Sequence, residues 1–428
     1  MRKVISSMLL ILLLLALLNG CLKQETPREA PIELIKEEET TAKPITLHIL
    51  TNRVDLIDNG GFGLYAQQFE QVHPNVKLSF EGLTNYVSDI SARLSTQDYG
   101  DVLLIPNHMK NEDLPQYFEP LPETLFENIR FADYKSYKGK RYGIAAGASS
   151  TGIVYNKRAF ERAGIDKLPT TLDEFYEVCQ KLKDAGITPL YLNYGAQWPL
   201  MNWGEELVSI MNGDPGYLNS LVNSDEPWQI DNEWGMSISI VKTLIDKGFV
   251  ERSLISNQWE ASKLEFVEGR AGMYLLGNWV ITQLISLGAD PDTIGFFPFP
   301  YRNEKPIYSP MNPDWFVAVS RYSEHKDLAV KWVDYFIHES GFVDDSGFLP
   351  IDTTKQPSLE QYKEFLSYGS IPVERQVPSD ELLEIASTAR ITFWSGLYIQ
   401  EWIAAPSLEE IFEEYNARWK EARELQQH

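Results

Sequence analysis

The stretch from Ile45 to Phe80 constrains the fold more than any other part of the chain. Ile45, Leu47 and Ile49 alternate with more polar neighbours, the period-2 signature of a half-buried strand. Phe62, Tyr65, Ala66 and Phe69 then recur at helical spacing. His73-Pro74-Asn75 stops that helix, because proline has no N–H to donate and its ring clashes with the preceding turn. Val76, Leu78 and Phe80 alternate again. Two strands joined by a helix run parallel in one sheet, which predicts an α/β fold. Another apolar run, Val102-Leu103-Leu104-Ile105, ends at Pro106. Downstream, Thr171 and Glu174 form a capping box behind Pro169, and Ser407 and Glu410 form another. Leu328, Ala329, Trp332, Val333, Phe336 and Ile337 make one apolar stripe, stopped near Gly341. Leu408, Ile411, Phe412, Tyr415, Trp419 and Ala422 line one face of the last long helix. No internal repeat interrupts the pattern, and the interspersed strands and helices predict an α/β protein with two sheets.

The N-terminus carries a different kind of signal. Arg2 and Lys3 precede an unbroken run of eleven apolar residues, Met8 to Leu18. A spanning helix needs ~20 such residues, so the run suits the core of a signal peptide. Leu18-Asn19-Gly20-Cys21 follows and resembles a bacterial lipobox, whose cysteine receives a diacylglyceryl group and becomes the new N-terminus. On this reading residues 1–20 are a signal peptide, Cys21 is lipidated, and residues 21–44 form a tether. The competing reading is an uncleaved membrane anchor. Residues 22–44 contain Pro27, Pro31, Pro44 and the run Glu37-Glu38-Glu39, with too little apolar surface to offset their ordering entropy.

Formal net charge is −23, and removal of the basic signal makes it more negative. Such a field repels phosphate backbones and argues against a nucleic-acid partner. Cys21 and Cys179 are the only two cysteines. With Cys21 lipidated, neither a disulfide nor a cysteine metal site can form. Cys179 shares a helical face with Leu172, Phe175, Tyr176 and Leu182, as a buried small hydrophobe does. The six histidines do not pair at metal spacing, and no EF-hand loop is readable. No metal or cofactor is expected. The chain contains no G-x-S-x-G elbow, H-E-x-x-H or Walker A loop. No catalytic residue is therefore assigned, although a glycosidase carboxylate pair, defined by distance in space, is invisible to such a search.

What the chain does contain is 11 Trp, 21 Tyr and 20 Phe, with several tryptophans preceded by a planar polar residue. Gln197-Trp198, Asn202-Trp203, Asn278-Trp279 and Asp314-Trp315 are examples, and Asn52-Arg53-Val54-Asp55 adds polar groups after the first strand. Sugars present apolar C–H faces and hydroxyl rims. A site for them needs aromatic platforms with amide or carboxylate groups around the edge. A packed core tryptophan is the competing reading at each position.

From Ile45 onward the chain resembles the extracellular solute-binding proteins of family 1, the carbohydrate-binding lipoproteins of ATP-binding cassette importers related to maltose-binding protein. The resemblance rests on Gly100-Asp101-Val102, on Tyr142-Gly143-Ile144-Ala145 with Gly152-Ile153-Val154-Tyr155-Asn156-Lys157, and on Pro169 to Phe175. Its most specific piece is Phe266-Val267-Glu268-Gly269-Arg270-Ala271-Gly272-Met273 followed by Gly277-Asn278-Trp279. It implies a two-lobed, periplasmic-binding-protein-like fold with a hinge and a ligand cleft between the lobes. Residues 45–147 and 295–325 would form lobe 1, and residues 148–294 and 326–428 lobe 2. Carried over residue by residue, the implied ligand contacts are Asn52, Asp55, Asp101, Trp198, Asn278, Trp279, Asp314, Trp315 and Trp394. Ser309-Pro310-Met311-Asn312-Pro313 departs from the glycine-rich form of the family, which weakens the match at Asp314 and Trp315. The implied protein is a monomer, lipid-anchored on the extracytoplasmic face of the membrane. It would capture a sugar or oligosaccharide and hand it to the importer's permease subunits. A surface glycoside hydrolase and a binding protein for a non-sugar solute are the alternatives.

Overall fold

The computed structural model describes residues 44–84 and 86–426. Cys21, the signal peptide and nearly all of the tether lie outside them. Thirteen strands follow in chain order: β1 (Ile45–Thr51), β2 (Val76–Gly82), β3 (Val102–Leu104), β4 (Ser136–Tyr137), β5 (Lys140–Arg141), β6 (Ile144–Ala145), β7 (Ala148–Asn156), β8 (Thr188–Leu190), β9 (Ala271–Gly277), β10 (Ile294–Phe297), β11 (Tyr308–Pro313), β12 (Phe316–Val319) and β13 (Ile371–Glu374). The first sheet has the order β2-β1-β3-β12-β6 and the second β13-β11-β7-β9-β8, with β10 also on β7. β4 and β5 form a small hairpin. As the periodicity predicts, β1 runs parallel to β2, with Leu47 opposite Leu78, and parallel to β3.

The helix Gly61–Val72 buries Phe62, Tyr65, Ala66 and Phe69. The helix Lys326–His338 buries Ala329, Trp332, Val333, Phe336 and Ile337. The two interlock through aromatic contacts, Phe62 with Phe336 at 6.1 Å and Phe69 with Trp332 at 5.3 Å. On the helix Leu172–Asp184 the Thr171 hydroxyl accepts the Glu174 N–H, while the Glu174 carboxylate accepts the N–H of Thr170 rather than that of Thr171. Cys179 is buried on this helix, and burial pushes its thiol up. Among the described residues no helix is long and apolar enough to cross a membrane.

Pairing shifts the expected division of the chain. Gly295 lies opposite Tyr155, and Met311 opposite Ser150. Strands β10 and β11, expected in lobe 1, therefore belong to the second sheet. Only β12 of that stretch returns to the first, with Val317 opposite Leu104. Helix Lys326–His338, expected in lobe 2, packs on the first sheet, as Trp332 against Phe80 shows. The apolar stripe identifies the helix in the sequence, but the sequence is silent on the partners of these segments, which lie far away along the chain.

The chain passes between the sheets at Ala146-Gly147 and again at Asp314-Trp315. These crossings are bonded side by side: the Ala146 N–H donates to the Trp315 carbonyl at 2.7 Å, and the Asp314 N–H to the Gly147 carbonyl at 2.9 Å. Nearby, Ala148 and Leu349 exchange both backbone bonds at 2.8 Å, so the third passage runs beside the first two.

Candidate ligand-binding site

The structure sorts the 11 tryptophans cleanly. Trp203, Trp228, Trp234, Trp332, Trp402 and Trp419 are fully buried in the cores. Trp198, Trp259, Trp279, Trp315 and Trp394 are half-buried. Trp203 in Asn202-Trp203 is thus a core residue, whereas the four tryptophans expected in the site all keep an accessible surface. Trp259 joins them unforeseen, although Asn257-Gln258-Trp259 shows the same polar-then-Trp pattern.

Trp198, Trp259 and Trp279 form one cluster at the C-terminal ends of β8 and β9. Ring centroids are 5.1 Å apart for Trp198–Trp259, 5.8 Å for Trp198–Trp279 and 6.1 Å for Trp259–Trp279. Local sequence explains how Trp279 is aimed. A Cβ on Gly277 would lie 2.3 Å from the Trp279 ring nitrogen, so the missing side chain lets the indole fold over its own strand end. Asn278 between them is wholly buried. Its Oδ1 accepts the Ser150 N–H at 2.6 Å, and its Nδ2 donates to the Gly347 carbonyl at 2.5 Å. Both ends of the amide are occupied, so Asn278 is scaffold that holds Trp279 rather than the expected ligand contact.

A second cluster lies at the C-terminal edge of the first sheet. Asn52, Arg53, Asp314 and Trp315 line a pocket of about 490 Å³, counting its open mouth, over an apolar floor that includes Leu104, Phe342 and Phe348. Trp315 packs edge-on against Tyr86 at 5.4 Å. Asp314 Oδ1 accepts the Trp315 N–H at 2.7 Å. Burial pushes the Asp314 carboxyl up to about 6, against the opposing pull of that N–H and of Arg53. Arg53 was not foreseen as a site residue. It is paired with Asp55 through two bonds of 2.8 and 2.7 Å and donates to Ser346 Oγ at 3.0 Å. Burial pulls the Asp55 carboxyl upward, but the Arg53 guanidinium outweighs it and leaves the group below its usual value. Asp55 does not line the pocket; it stands on the rim and orients Arg53.

Asp101 does not join either cluster. It is buried, its Oδ2 accepts the His48 N–H at 2.8 Å and its Oδ1 the Ser323 hydroxyl at 2.5 Å. It precedes β3 and so sits toward the opposite end of the sheet from Asn52, where it fastens β1 to the segment after β12. Trp394 stands apart from the tryptophan trio, on a turn against the loop that carries Trp198. One short segment joins the two clusters: Ser346 receives the bond from Arg53, Gly347 receives the bond from Asn278, and Phe348 lines the pocket.

Residues 56–341 match the model of the bacterial extracellular solute-binding proteins. The chain belongs to that family. The family's members are binding proteins that work outside the cytoplasm. A multiple sugar-binding protein of Streptococcus mutans is 23% identical, over 63% of this chain and 66% of the relative. An uncharacterized ABC transporter extracellular-binding protein of Pyrococcus horikoshii is 23% identical, over 89% of this chain and 82% of the relative. Among solved structures, the BlMnBP1 binding protein of an ABC transporter from Bifidobacterium animalis subsp. lactis, in complex with mannobiose, superposes with a TM-score of 0.80 at 26% identity. It covers 89% of this chain and 95% of its own. The fold is the two-lobed α/β fold of sugar-binding proteins. Among the described residues no group of three or more His, Cys, Asp or Glu side chains converges to hold a metal ion.

Proposed function

We propose that this solute-binding protein captures a short oligosaccharide for an ABC importer, without altering it chemically. The observation that carries the reading is the half-buried trio Trp198, Trp259 and Trp279 facing out from the strand ends of the second sheet. Aromatic faces left partly wet beside polar groups suit pyranose rings, which have one apolar face and a hydroxyl edge. Trp394 adds a separate half-buried indole, while Trp315, Asn52, Arg53 and Asp314 supply an aromatic edge, donors and acceptors from the first sheet. Contacts to both lobes form together only when the lobes approach, so the ligand shifts the population toward the closed form. The paired crossings at 146–147 and 314–315 act as the hinge. The importer's permease would then receive the closed, monomeric protein, which Cys21 tethers to the membrane by its lipid.

Mannobiose and mannotriose head the ligands to test, because the mannobiose-bound relative is 26% identical over most of both chains. Calorimetry of the domain from Ile45 onward against these, raffinose, a chitin oligosaccharide and free amino acids is the deciding experiment. Saturable binding of one saccharide with the sugar recovered unchanged supports the reading. Binding of amino acids alone, or recovery of cleaved sugar, overturns it.

A further inference from the structure

A wholly buried acid stands behind Trp394. Glu205 opens the short helix Glu205–Val208 and has no exposed surface. Its Oε1 accepts the backbone N–H of Trp394 and its Oε2 accepts the phenolic proton of Tyr398. The neighbouring Glu206 is committed elsewhere, to Arg375 at 2.6 Å and to the Asn312 amide. Among the described residues no cation pairs with Glu205 itself. Burial pushes its carboxyl up to about 7, and Glu206 adds to this, while Tyr398, the local backbone and Arg375 oppose it. A buried acid without a paired cation costs stability, and an apolar residue would fill the volume more cheaply.

What the acid does is hold a strained turn. Trp394 has φ +64, a left-handed conformation in which a bulky side chain is a genuine outlier. Two residues on, Gly396 has φ +72, and a Cβ there would lie 2.1 Å from the Gln197 carbonyl oxygen. The turn is thus pressed onto the loop that leads into Trp198. Gln197 itself has φ +66. Its amide donates to Gln400 at 2.8 Å, and Gln400 exchanges bonds with Tyr194 at 3.0 and 3.1 Å. Two loops in unfavourable backbone conformations hold each other, and Glu205 is the buried group bonded directly to the Trp394 backbone.

We infer that Glu205 is a positioning residue: by fixing the Trp394 backbone it sets the angle of that indole toward a bound saccharide, and with it the affinity. The inference rests on the sugar-binding reading but has a readout of its own. Protein carrying 5-fluorotryptophan is compared by fluorine NMR with and without Glu205→Gln, the Trp394 line being assigned with Trp394→Phe. The Trp394 line should shift or broaden without any ligand, while those of Trp332 and Trp419 stay in place. With mannotriose or another saccharide bound by the wild type, Glu205→Gln should weaken binding at least fivefold, and that effect should vanish in a Trp394→Ala background. An unmoved Trp394 line, or an equal loss of affinity in the Trp394→Ala background, overturns the role. A wild type that binds no saccharide of the panel sinks the sugar reading instead. Glu205→Asp, one methylene shorter, should displace the same line and carries the test if the glutamine variant does not fold.

Discussion

The rims of the two sheets use different chemistry. On the second, Trp198, Trp259 and Trp279 touch one another and expose ring surface. On the first, Asn52, Arg53 and Asp314 surround a pocket with one indole, Trp315, at its edge. Stacking follows area and tolerates variation in the hydroxyl pattern. Hydrogen bonds from a guanidinium and an amide do not, because an unmatched buried donor costs its desolvation. On the proposed sugar-binding reading, the second sheet would supply grip and the first would supply choice among sugars.

The largest test breaks the aromatic side. Trp279→Ala should cost about tenfold to a hundredfold in affinity for every sugar bound, on the order of 1.4–2.8 kcal/mol. It should also lower the melting temperature, because the ring packs on Trp198 and Trp259. Arg53→Ala should cost about tenfold for the preferred sugar and less for poorer ones, so that selectivity narrows in a competition titration. Asp101→Ala separates scaffold from site. It should destabilise the fold by about 1–3 kcal/mol in denaturant titrations, by stranding the buried Ser323 hydroxyl and freeing the His48 N–H, while the folded protein keeps its affinity.

Asp314 gives a pH test with a definite sign. Its native carboxyl titrates at about 6, above the 3.8 of a free aspartate. The raised value means that folding favours the protonated form. Its contribution to stability is therefore fully present below about pH 4 and lost as pH rises through 6. Asp314→Asn should flatten the fall in melting temperature between those limits by roughly a few degrees. Glu205 titrates in the same direction, so the wild-type-minus-variant difference is the quantity to read. The smallest effect belongs to Asp55→Asn. If that residue only orients Arg53, affinity should change by less than about threefold, an exposed ion pair contributing roughly 0.2–1 kcal/mol.

Much of the fold was legible in advance. The strand–helix–strand unit, the stripe on Lys326–His338 and the buried Cys179 all follow from apolar spacing. The site was legible only in part. Trp198, Trp279, Trp315 and Trp394 keep accessible surface as expected, but Trp203, with the same kind of polar neighbour, is core. Asp101 and Asn278 look like ligand groups in the sequence and are consumed by bonds to His48, Ser323, Ser150 and Gly347. Arg53 and Trp259 carried the same local signals as residues that were selected, and nothing nearby in the chain distinguishes them.

Apolar periodicity and chain breakers are local, and they suffice to specify an α/β chain; the family resemblance rests on short motifs such as Gly269-Arg270-Ala271-Gly272-Met273 with Gly277-Asn278-Trp279. Which sheet takes β10 and β11, which indoles stay half-wet, and which polar groups are left free depend on partners tens to hundreds of residues away. Burial and hydrogen-bond satisfaction are properties of the packed whole, so those questions were answered only when the chain closed on itself.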